Sequence, residues 1–186
     1  MITVPNSERL TFTFMTPAHK QQLFDLDQDP EVMKYINGGK VSTWDDIHNR
    51  FIPRLQAYAN PDKGWGLWMV ETLANNEYLG WILVRPTEFF NDEKPTEENN
   101  LELGWRFFKK SWGKGYGTEA AMAVMRALQA QNPDVEKFSA MAEIDNNGSI
   151  NIMKKLGMSY QKTDTYKEVG FDNMEVVYYH TTQSLR

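Results

Sequence analysis

The sequence predicts a single α/β domain of the α+β kind, in which helices pack on a mixed β-sheet. First, 186 residues are enough for one substantial domain and too few for two, so we expect one domain over residues 1–186. Second, 41% hydrophobic and 13% aromatic residues are enough to build a core. Third, strand and helix patterns follow one another in the order β-α-α-α-β-β-β-α-β-α-β-β, without a repeat or linker.

The first third of the chain predicts one strand and three helices. Residues 9–16, RLTFTFMT, alternate apolar and threonine side chains, as a half-buried strand does. The three helices are expected over residues 16–26, 29–36 and 42–58, and either Ser42 or Thr43 is expected to cap the third. Thr16 and Asp29 each cap a helix whose first position is proline, and Gly38-Gly39 ends the second helix.

The middle of the chain predicts three strands, over residues 66–72, 77–85 and 101–108. The last two strands are separated by residues 86–100, a connection that is long for a compact domain. This connection carries the acidic residues Glu88, Asp92, Glu93, Glu97 and Glu98. A charged run of this kind is most simply interpreted as a solvated loop.

The last third predicts two helices and three strands. The helices are expected over residues 117–130 and 149–155, with Gly157 ending the second. The strands are expected over residues 137–143, 158–166 and 171–181.

Composition excludes several classes of protein. The chain has no cysteine, so disulfides, thiolate metal sites and a cysteine nucleophile are excluded. Its histidines, His19, His48 and His180, lie far apart, so we expect no metal. A net charge of −5 without a basic run disfavours nucleic acid as a partner. Without an apolar segment long enough for a membrane, and without a signal peptide, the chain is expected to be cytoplasmic with no membrane partner.

A glycine-rich turn stands before the strongest predicted helix. The stretch SWGKGYGTEAAMAV, residues 111–124, places Gly113, Gly115 and Gly117 at alternate positions. A tight turn alone would explain isolated glycines. Here a strand precedes the turn, a helix follows it, and three lysines lie nearby. This context favours binding of an anion, such as a pyrophosphate, by the free N–H groups of the helix.

Two known phosphate motifs fit this turn poorly. A P-loop requires Ser or Thr after its lysine, whereas Lys114 is followed by glycine. A dinucleotide fold places GxGxxG directly after its first strand, whereas the spacing here is GxGxG and lies late in the chain. Glu143 could act as the ribose-binding acid of such a fold, so that alternative stays open.

Two linked motifs resemble those of the GNAT superfamily of acyl-CoA-dependent N-acyltransferases. WGKGYGTEA, residues 112–120, resembles the phosphate-binding turn of its RimJ/RimL-like branch. NNGS and KLGM, at residues 146–149 and 155–158, are similar to that branch's second block. The resemblance covers nearly the whole chain. It implies a mostly antiparallel sheet of about seven strands, splayed between strands four and five, with helices on both faces.

The resemblance also implies acetyl-CoA as co-substrate, with no metal, in a monomer or homodimer. The residues expected to contact it are Arg106, Phe107, Phe108, Trp112, Gly113, Lys114, Gly115, Tyr116, Gly117, Thr118 and Asn146. The first three would act through their backbones, Gly113 to Thr118 would hold the pyrophosphate, and Asn146 would bond the pantetheine arm. Trp112 departs from the family's usual Gln or Arg, so packing or backbone contacts would replace one polar contact.

Two residues are candidates for proton transfer. A deprotonated amine is needed for attack on the thioester, so a base within reach would accelerate the reaction by roughly 10²–10⁴. Glu102 matches the family's glutamate base; alternatively, it is an exposed strand residue or pairs with Arg106. Ser149 matches a proposed general acid; alternatively, it caps a helix. Met153 stands where many members have a proton-donating tyrosine, and Tyr160 and Tyr166 are weaker substitutes.

The acceptor is expected to be a primary amine, either a protein N-terminus or a small molecule such as a polyamine or an antibiotic. The acidic connection could attract such an amine, and Trp44, Trp65, Trp68 or Trp81 could line its site, although most of these are expected in the core. A non-catalytic acyl-CoA-binding sensor is the alternative outside enzymes.

Overall fold

A computed structural model describes residues 1–166 and 174–181. It forms one seven-stranded sheet in the order β1-β2-β3-β4-β5-β7-β6. The strands are β1 (Leu10–Phe14), β2 (Gly66–Thr72), β3 (Tyr78–Thr87), β4 (Glu97–Phe107), β5 (Lys137–Glu143), β6 (Met158–Tyr166) and β7 (Met174–Thr181). Neighbouring strands are antiparallel except for β4 and β5, which are parallel. The predicted fold class is confirmed.

The helices are α1 (Lys20–Leu26), α2 (Pro30–Asn37), α3 (Trp44–Asp46), α4 (Ile52–Tyr58), α5 (Tyr116–Gln131) and α6 (Asn147–Lys155). A 3₁₀ turn precedes α1, and a π-helical turn, Ile47–Phe51, joins α3 to α4. Thr43 caps α3 with its side chain, which accepts from the backbone N–H of Asp46 at 3.1 Å. Gly38, at φ 77°, ends α2 as expected.

The sheet buries a different apolar cluster on each face. One cluster joins α5 and α6 to side chains such as Leu101, Leu103 and Phe107 of β4. The other joins α1, the π turn and α4 to side chains such as Leu67 and Met69 of β2. Successive positions of a strand alternate between the two faces of a sheet. Positions 102, 104 and 106 of β4, which are Glu102, Gly104 and Arg106, therefore lie on the face that packs against α1, the π turn and α4.

Two predicted elements differ most clearly in the structure, and a third lies partly outside the described residues. β4 begins at Glu97, so Glu97 and Glu98 belong to a strand and the acidic connection is shorter than expected. The helix expected over residues 42–58 contains the π turn. The last strand begins at Met174 among the described residues, and the predicted positions 171–173 lie outside them.

Candidate active site

The parallel strands β4 and β5 pair only over a short length and then separate. Their register joins Asn100 to Lys137, Leu101 to Phe138 and Glu102 to Ser139. Beyond Glu102 the two strands diverge, as the predicted splay requires. A cleft of about 680 Å³ opens there and extends from the glycine turn, between the strands, to α1, α2 and α4.

The β4 backbone presents polar groups to this cleft. The N–H of Phe108 donates to the carbonyl of Leu79 at 2.9 Å, so Phe108 is bonded toward β3. Hydrogen-bonded positions alternate along an antiparallel pair, so the backbone of Arg106 also points to β3. The backbones of Trp105 and Phe107 therefore face the diverging β5 edge, where strand pairing has ended.

The glycine turn leaves the amino end of α5 open. Gly113 and Gly115 have φ of 73° and 81°, in the left-handed region that favours glycine. Gly115 is the N-cap of α5, and no described side chain caps this helix. The first N–H groups of α5 thus lack intrahelical partners and face the cleft. A Cβ at Gly113 would meet nothing within 4 Å, so the turn borders open space at this position.

Trp112 anchors the turn to β4. Its indole Nε1–H donates to the carbonyl of Phe107 at 2.9 Å, while 45% of the residue stays exposed. Trp112 therefore replaces the polar side chain that the family resemblance led us to expect with a contact to the strand backbone. This contact fixes the distance between the turn and the splayed strand.

Most of the predicted cofactor residues line the cleft. These are Arg106, Phe107, Trp112, Gly113, Gly115, Tyr116, Gly117, Thr118 and Asn146. Phe108 and Lys114 lie outside its lining. Lys109 and Lys110 form ion pairs with Glu31 and Glu77, at 3.3 and 2.6 Å, so their charges are paired with carboxylates.

Glu102 lines the cleft where the strands begin to diverge, and Arg85 is its partner. Arg85 Nε and Nη2 donate to the two carboxylate oxygens at 2.9 and 3.2 Å. The side chains of Arg85 and Glu102 are 10% and 17% exposed. The suggested alternatives for Glu102, an exposed side chain or a pair with Arg106, were therefore wrong.

Arg106 instead forms a buried ion pair with Asp27 at the end of α1. Its Nη1 donates to Asp27 Oδ1 at 2.5 Å, and Ser42 Oγ donates to Asp27 Oδ2 at 2.8 Å. The Arg106 guanidinium also lies 5.0 Å from the ring centre of Trp81. Arg106 Nε is buried and has no hydrogen-bond partner among the described residues, so this N–H of the guanidinium is unsatisfied there.

Ser149 also lines the cleft, and its hydroxyl is oriented by Trp105. The indole Nε1–H of Trp105 donates to Ser149 Oγ at 3.1 Å, which leaves the serine proton for another acceptor. The expectation that Ser149 caps a helix was wrong. Asn146 caps α6 instead, because its Oδ1 accepts from the Ser149 N–H at 3.1 Å. Met153 is fully buried in the core.

Glu143 is the last residue of β5 and lines the cleft. Its Oε2 is buried and has no hydrogen-bond partner among the described residues. Unpartnered buried oxygens are rare in folded proteins. Glu143 therefore has capacity to accept a hydrogen bond from a molecule in the cleft.

The end of the cleft under α1, α2 and α4, which we term the helical half, is mainly apolar. Tyr58 and Trp81 line it, whereas Trp65 and Trp68 belong to the core and Trp44 stacks on Phe24 outside it. Burial raises the pKa of Tyr58 to about 12, so its phenol stays neutral.

The acidic connection is largely engaged in its own contacts. Glu88 accepts from Asn91 and Lys94, and Glu98 forms an ion pair with Lys63. These pairs leave less negative charge for a cationic partner than the sequence suggested.

Within residues 1–166 and 174–181, no cluster of three or more histidine, aspartate or glutamate side chains is arranged to hold a metal ion. Among the helices of the same residues, none is both long and apolar enough to span a bilayer.

Sequence reasoning missed several side chains of the cleft. Asp27, Arg85 and Trp105 are the main ones, and their partners lie 79, 17 and 44 residues away along the chain. The N-cap role of Asn146 could have been predicted from the sequence. Asparagine is among the best N-cap residues, and Asn146 stands three positions before Ser149.

The chain is similar to known proteins in both sequence and fold. A family model described as "Acetyltransferase (GNAT) domain" matches residues 9–159. YkkB, an uncharacterized protein of Bacillus subtilis (strain 168), is 29% identical over 164 residues, which are 84% of this chain and 86% of YkkB.

Solved structures share the fold over nearly the whole chain. An acetyltransferase of the GNAT family from Bacillus anthracis superposes with a TM-score of 0.72 at 25% identity, over 97% of each chain. The aminoglycoside acetyltransferase AAC(6')-Ib, in complex with ribostamycin and coenzyme A, gives 0.75 at 19% identity over 94% of each chain. RimL, a ribosomal L7/L12 alpha-N-protein acetyltransferase in complex with coenzyme A, gives 0.71 at 15% identity over 95% of this chain and 96% of its own.

Proposed function

Because the chain belongs to the GNAT acetyltransferase family, we propose that it transfers an acetyl group from acetyl-CoA to a primary amine. The observation that carries this proposal is the cleft between β4 and β5, which ends at the uncapped amino end of α5. A site of this shape suits a long thioester with a pyrophosphate at one end. Coenzyme A is bound by AAC(6')-Ib and RimL, which share this fold.

Each part of the cleft would hold one part of the co-substrate. The N–H groups of Tyr116, Gly117 and Thr118 would bond the pyrophosphate. The backbones of Trp105 and Phe107 would bond the pantetheine arm and donate to the oxygen of the acetyl group as negative charge develops there. Asn146 has its Oδ1 committed to the α6 cap, so only its amide N–H₂ would reach the arm.

Glu102 and Ser149 would move the protons. The amine nitrogen attacks the thioester carbon, the C–N bond forms, and the C–S bond breaks. Glu102 would accept the amine proton, directly or through a water, since a carboxylate has lone pairs beyond the two that Arg85 occupies. Ser149 would donate a hydrogen bond to the departing thiolate, since Trp105 already occupies its oxygen as an acceptor, and the thiolate would take up the proton released from the amine.

For the acceptor we propose the α-amine of a protein N-terminus, as the RimJ/RimL-like motifs suggest. A small-molecule amine is the second candidate, since AAC(6')-Ib shares the fold. A non-catalytic sensor of acyl-CoA is a third, favoured by Met153, which is buried in the core where many relatives carry a tyrosine.

The test is release of free thiol from acetyl-CoA with N-terminal peptides, polyamines and aminoglycosides. Glu102→Gln should lower kcat by roughly 10²–10⁴ and keep acetyl-CoA binding, seen as an increase in Tm with ligand. Glu98→Gln is the matched control, because Glu98 lies on the same strand outside the cleft. An increase in Tm without turnover on any amine would instead establish the sensor.

A further inference from the structure

The segment that precedes β1 lies along α5 and is attached near both ends of that helix. At the carboxyl end, the side chain of Gln131 accepts from the Thr3 backbone N–H at 3.1 Å and donates to the Thr3 carbonyl at 2.7 Å. Ile2 and Val4 are buried in the same apolar cluster as α5. These contacts hold the segment against the helix as it runs toward the glycine turn.

Glu119, in the first turn of α5, attaches the other end of this segment. Its Oε1 accepts from Ser7 Oγ at 2.7 Å and from the Arg9 backbone N–H at 2.9 Å. Its Oε2 accepts from Arg9 Nε at 2.7 Å and lies 2.6 Å from Arg9 Nη2. Both carboxylate oxygens are therefore occupied. The Glu119 side chain is only 17% exposed, and hydrogen bonds are stronger where water is largely excluded.

The guanidinium of Arg9 reaches from this carboxylate to the glycine turn. Its other terminal nitrogen, Nη1, donates to the carbonyl of Lys114 at 3.0 Å. Nη2 lies beside Gly115, since a Cβ built on that glycine would be 3.4 Å from it. The guanidinium carbon lies over the ring of Tyr116, 4.5 Å from its centre. One side chain thus contacts three successive residues of the turn as well as Glu119.

The turn needs such support because glycine is the most flexible residue in a chain. Gly113 and Gly115 both have positive φ, and a glycine loses more conformational freedom than other residues when its backbone is fixed. A turn that is already ordered does not have to be ordered by its ligand, which favours binding. Arg9 lies outside the cleft lining, so it would act on a bound anion through the turn and not by contact.

We infer, on the basis of the proposed binding of acetyl-CoA, that Arg9 is a positioning residue for the phosphate-binding turn. It holds the turn in the conformation that receives the pyrophosphate, and Glu119 orients its guanidinium for that contact. A purely electrostatic role for Arg9 predicts a different result, because the charges of Arg9 and Glu119 have opposite signs. The two roles can therefore be separated by changing each residue in turn.

The first variant is Arg9→Gln, measured by calorimetric titration with CoA and by kinetics with acetyl-CoA and acetylpantetheine. The Kd for CoA and the KM for acetyl-CoA should each rise about tenfold, as loss of a charged hydrogen bond can cause, with kcat within about twofold. Acetylpantetheine lacks the pyrophosphate, so its kcat/KM should stay unchanged. Equal losses for the two thioesters, or unchanged binding of CoA, would overturn the inference.

The second variant, Glu119→Gln, distinguishes positioning from charge. Removing a negative charge beside the turn would by itself strengthen the binding of an anion. However, the amide N–H₂ of the new side chain would face donors of Ser7 or Arg9, so the guanidinium would lose part of its support. We therefore expect weaker binding of CoA in this variant too. Tighter or unchanged binding would show that Arg9 acts through its charge alone and would refute positioning.

Two further variants serve as controls. Arg126→Gln removes the same charge from an exposed position of the same helix and should leave the Kd for CoA and both kcat/KM values unchanged. Arg9→Lys keeps the charge but lacks the planar fork, so it should restore CoA binding only in part. Full recovery in Arg9→Lys would contradict the positioning role.

Failure of the proposed acetyl transfer would give a different result from failure of this inference. If the enzymatic function is wrong, the unaltered protein would release no thiol with any amine, yet it would still bind CoA more tightly than Arg9→Gln does. If the unaltered protein does not bind CoA at all, both the inference and the proposed function are refuted.

Discussion

Replacing Asp27 with alanine should strongly destabilise the protein. The carboxylate of Asp27 is 3% exposed, the Arg106 side chain that it binds is 10% exposed, and the two are 2.5 Å apart. In the Asp27→Ala variant, Arg106 would stay buried without a counter-charge, and Ser42 would lose its acceptor. Removing one partner of a buried pair costs about 3–5 kcal/mol. For a chain of this size, Tm falls by about 2–4 °C per kcal/mol, so we expect a decrease of about 6–20 °C.

Urea and thermal unfolding are monitored by circular dichroism. A double-mutant cycle combines Asp27→Ala with Arg106→Met. Arg106→Met keeps the length of the arginine stem without its charge. Because the double variant no longer buries an unpaired charge, its loss should be smaller than the sum of the single losses by about 0.5–3 kcal/mol.

A surface pair supplies the control for this prediction. Lys162 and Asp164 are 2.7 Å apart, but both side chains are more than half exposed. Asp164→Ala should therefore lose much less stability than Asp27→Ala. If Asp27→Ala loses less than about 1 kcal/mol, or if the single losses are additive, the pair is not desolvated and the reasoning is refuted.

Three other predictions concern single side chains. Burial alone would raise the pKa of Glu119, but hydrogen bonds from Ser7 and Arg9 lower it below its ordinary value of 4.5. Its stabilisation is complete above that value and is lost as the pH falls through the lower pKa of the folded state, so Glu119→Gln should flatten the acid limb of a pH–stability curve. Burial raises the pKa of Tyr58 from 10.0 to about 12. Stability should fall between those pH values, because only the unfolded chain releases the proton, and Tyr58→Phe should remove that contribution in the same titration. Thr43→Ala removes the cap of α3 and should cost about 1 kcal/mol in urea unfolding; an unchanged midpoint would contradict the capping role.

Local patterns were enough to predict most elements and the glycine turn. The alternation in residues 9–16 and the caps at Thr16, Asp29 and Thr43 act within a few residues of the chain. The amino end of α5 is likewise formed by contiguous residues, with Gly115 as its N-cap. These features are local, so propensity and capping chemistry determine them.

The ion pairs of the cleft could not be predicted in the same way, as Glu102 shows. Arg106 is four positions away on the same strand, which is about 13 Å at the rise of a β-strand. Arg85 lies directly opposite Glu102 in the β3–β4 ladder, where Cβ atoms are about 5 Å apart. The pairing therefore depends on strand register, which is set by tertiary packing and not by spacing along one strand.

The two ends of the cleft differ in how far they depend on tertiary packing. For that reason the sequence predicts the co-substrate more readily than the acceptor. The proposed pyrophosphate site uses backbone N–H groups of one short segment, Gly113 to Thr118, and backbone groups are the same in every residue. The helical half depends on side chains from α1, α2, α4, β2, β3 and β4, and its charge depends on which carboxylates have arginine partners. One changed register or one added Cβ at Gly104 would alter the space and charge there without touching the glycine turn. Acceptor specificity can therefore change among members of this family while the co-substrate site is retained, and measurements at Arg9 address the co-substrate site alone.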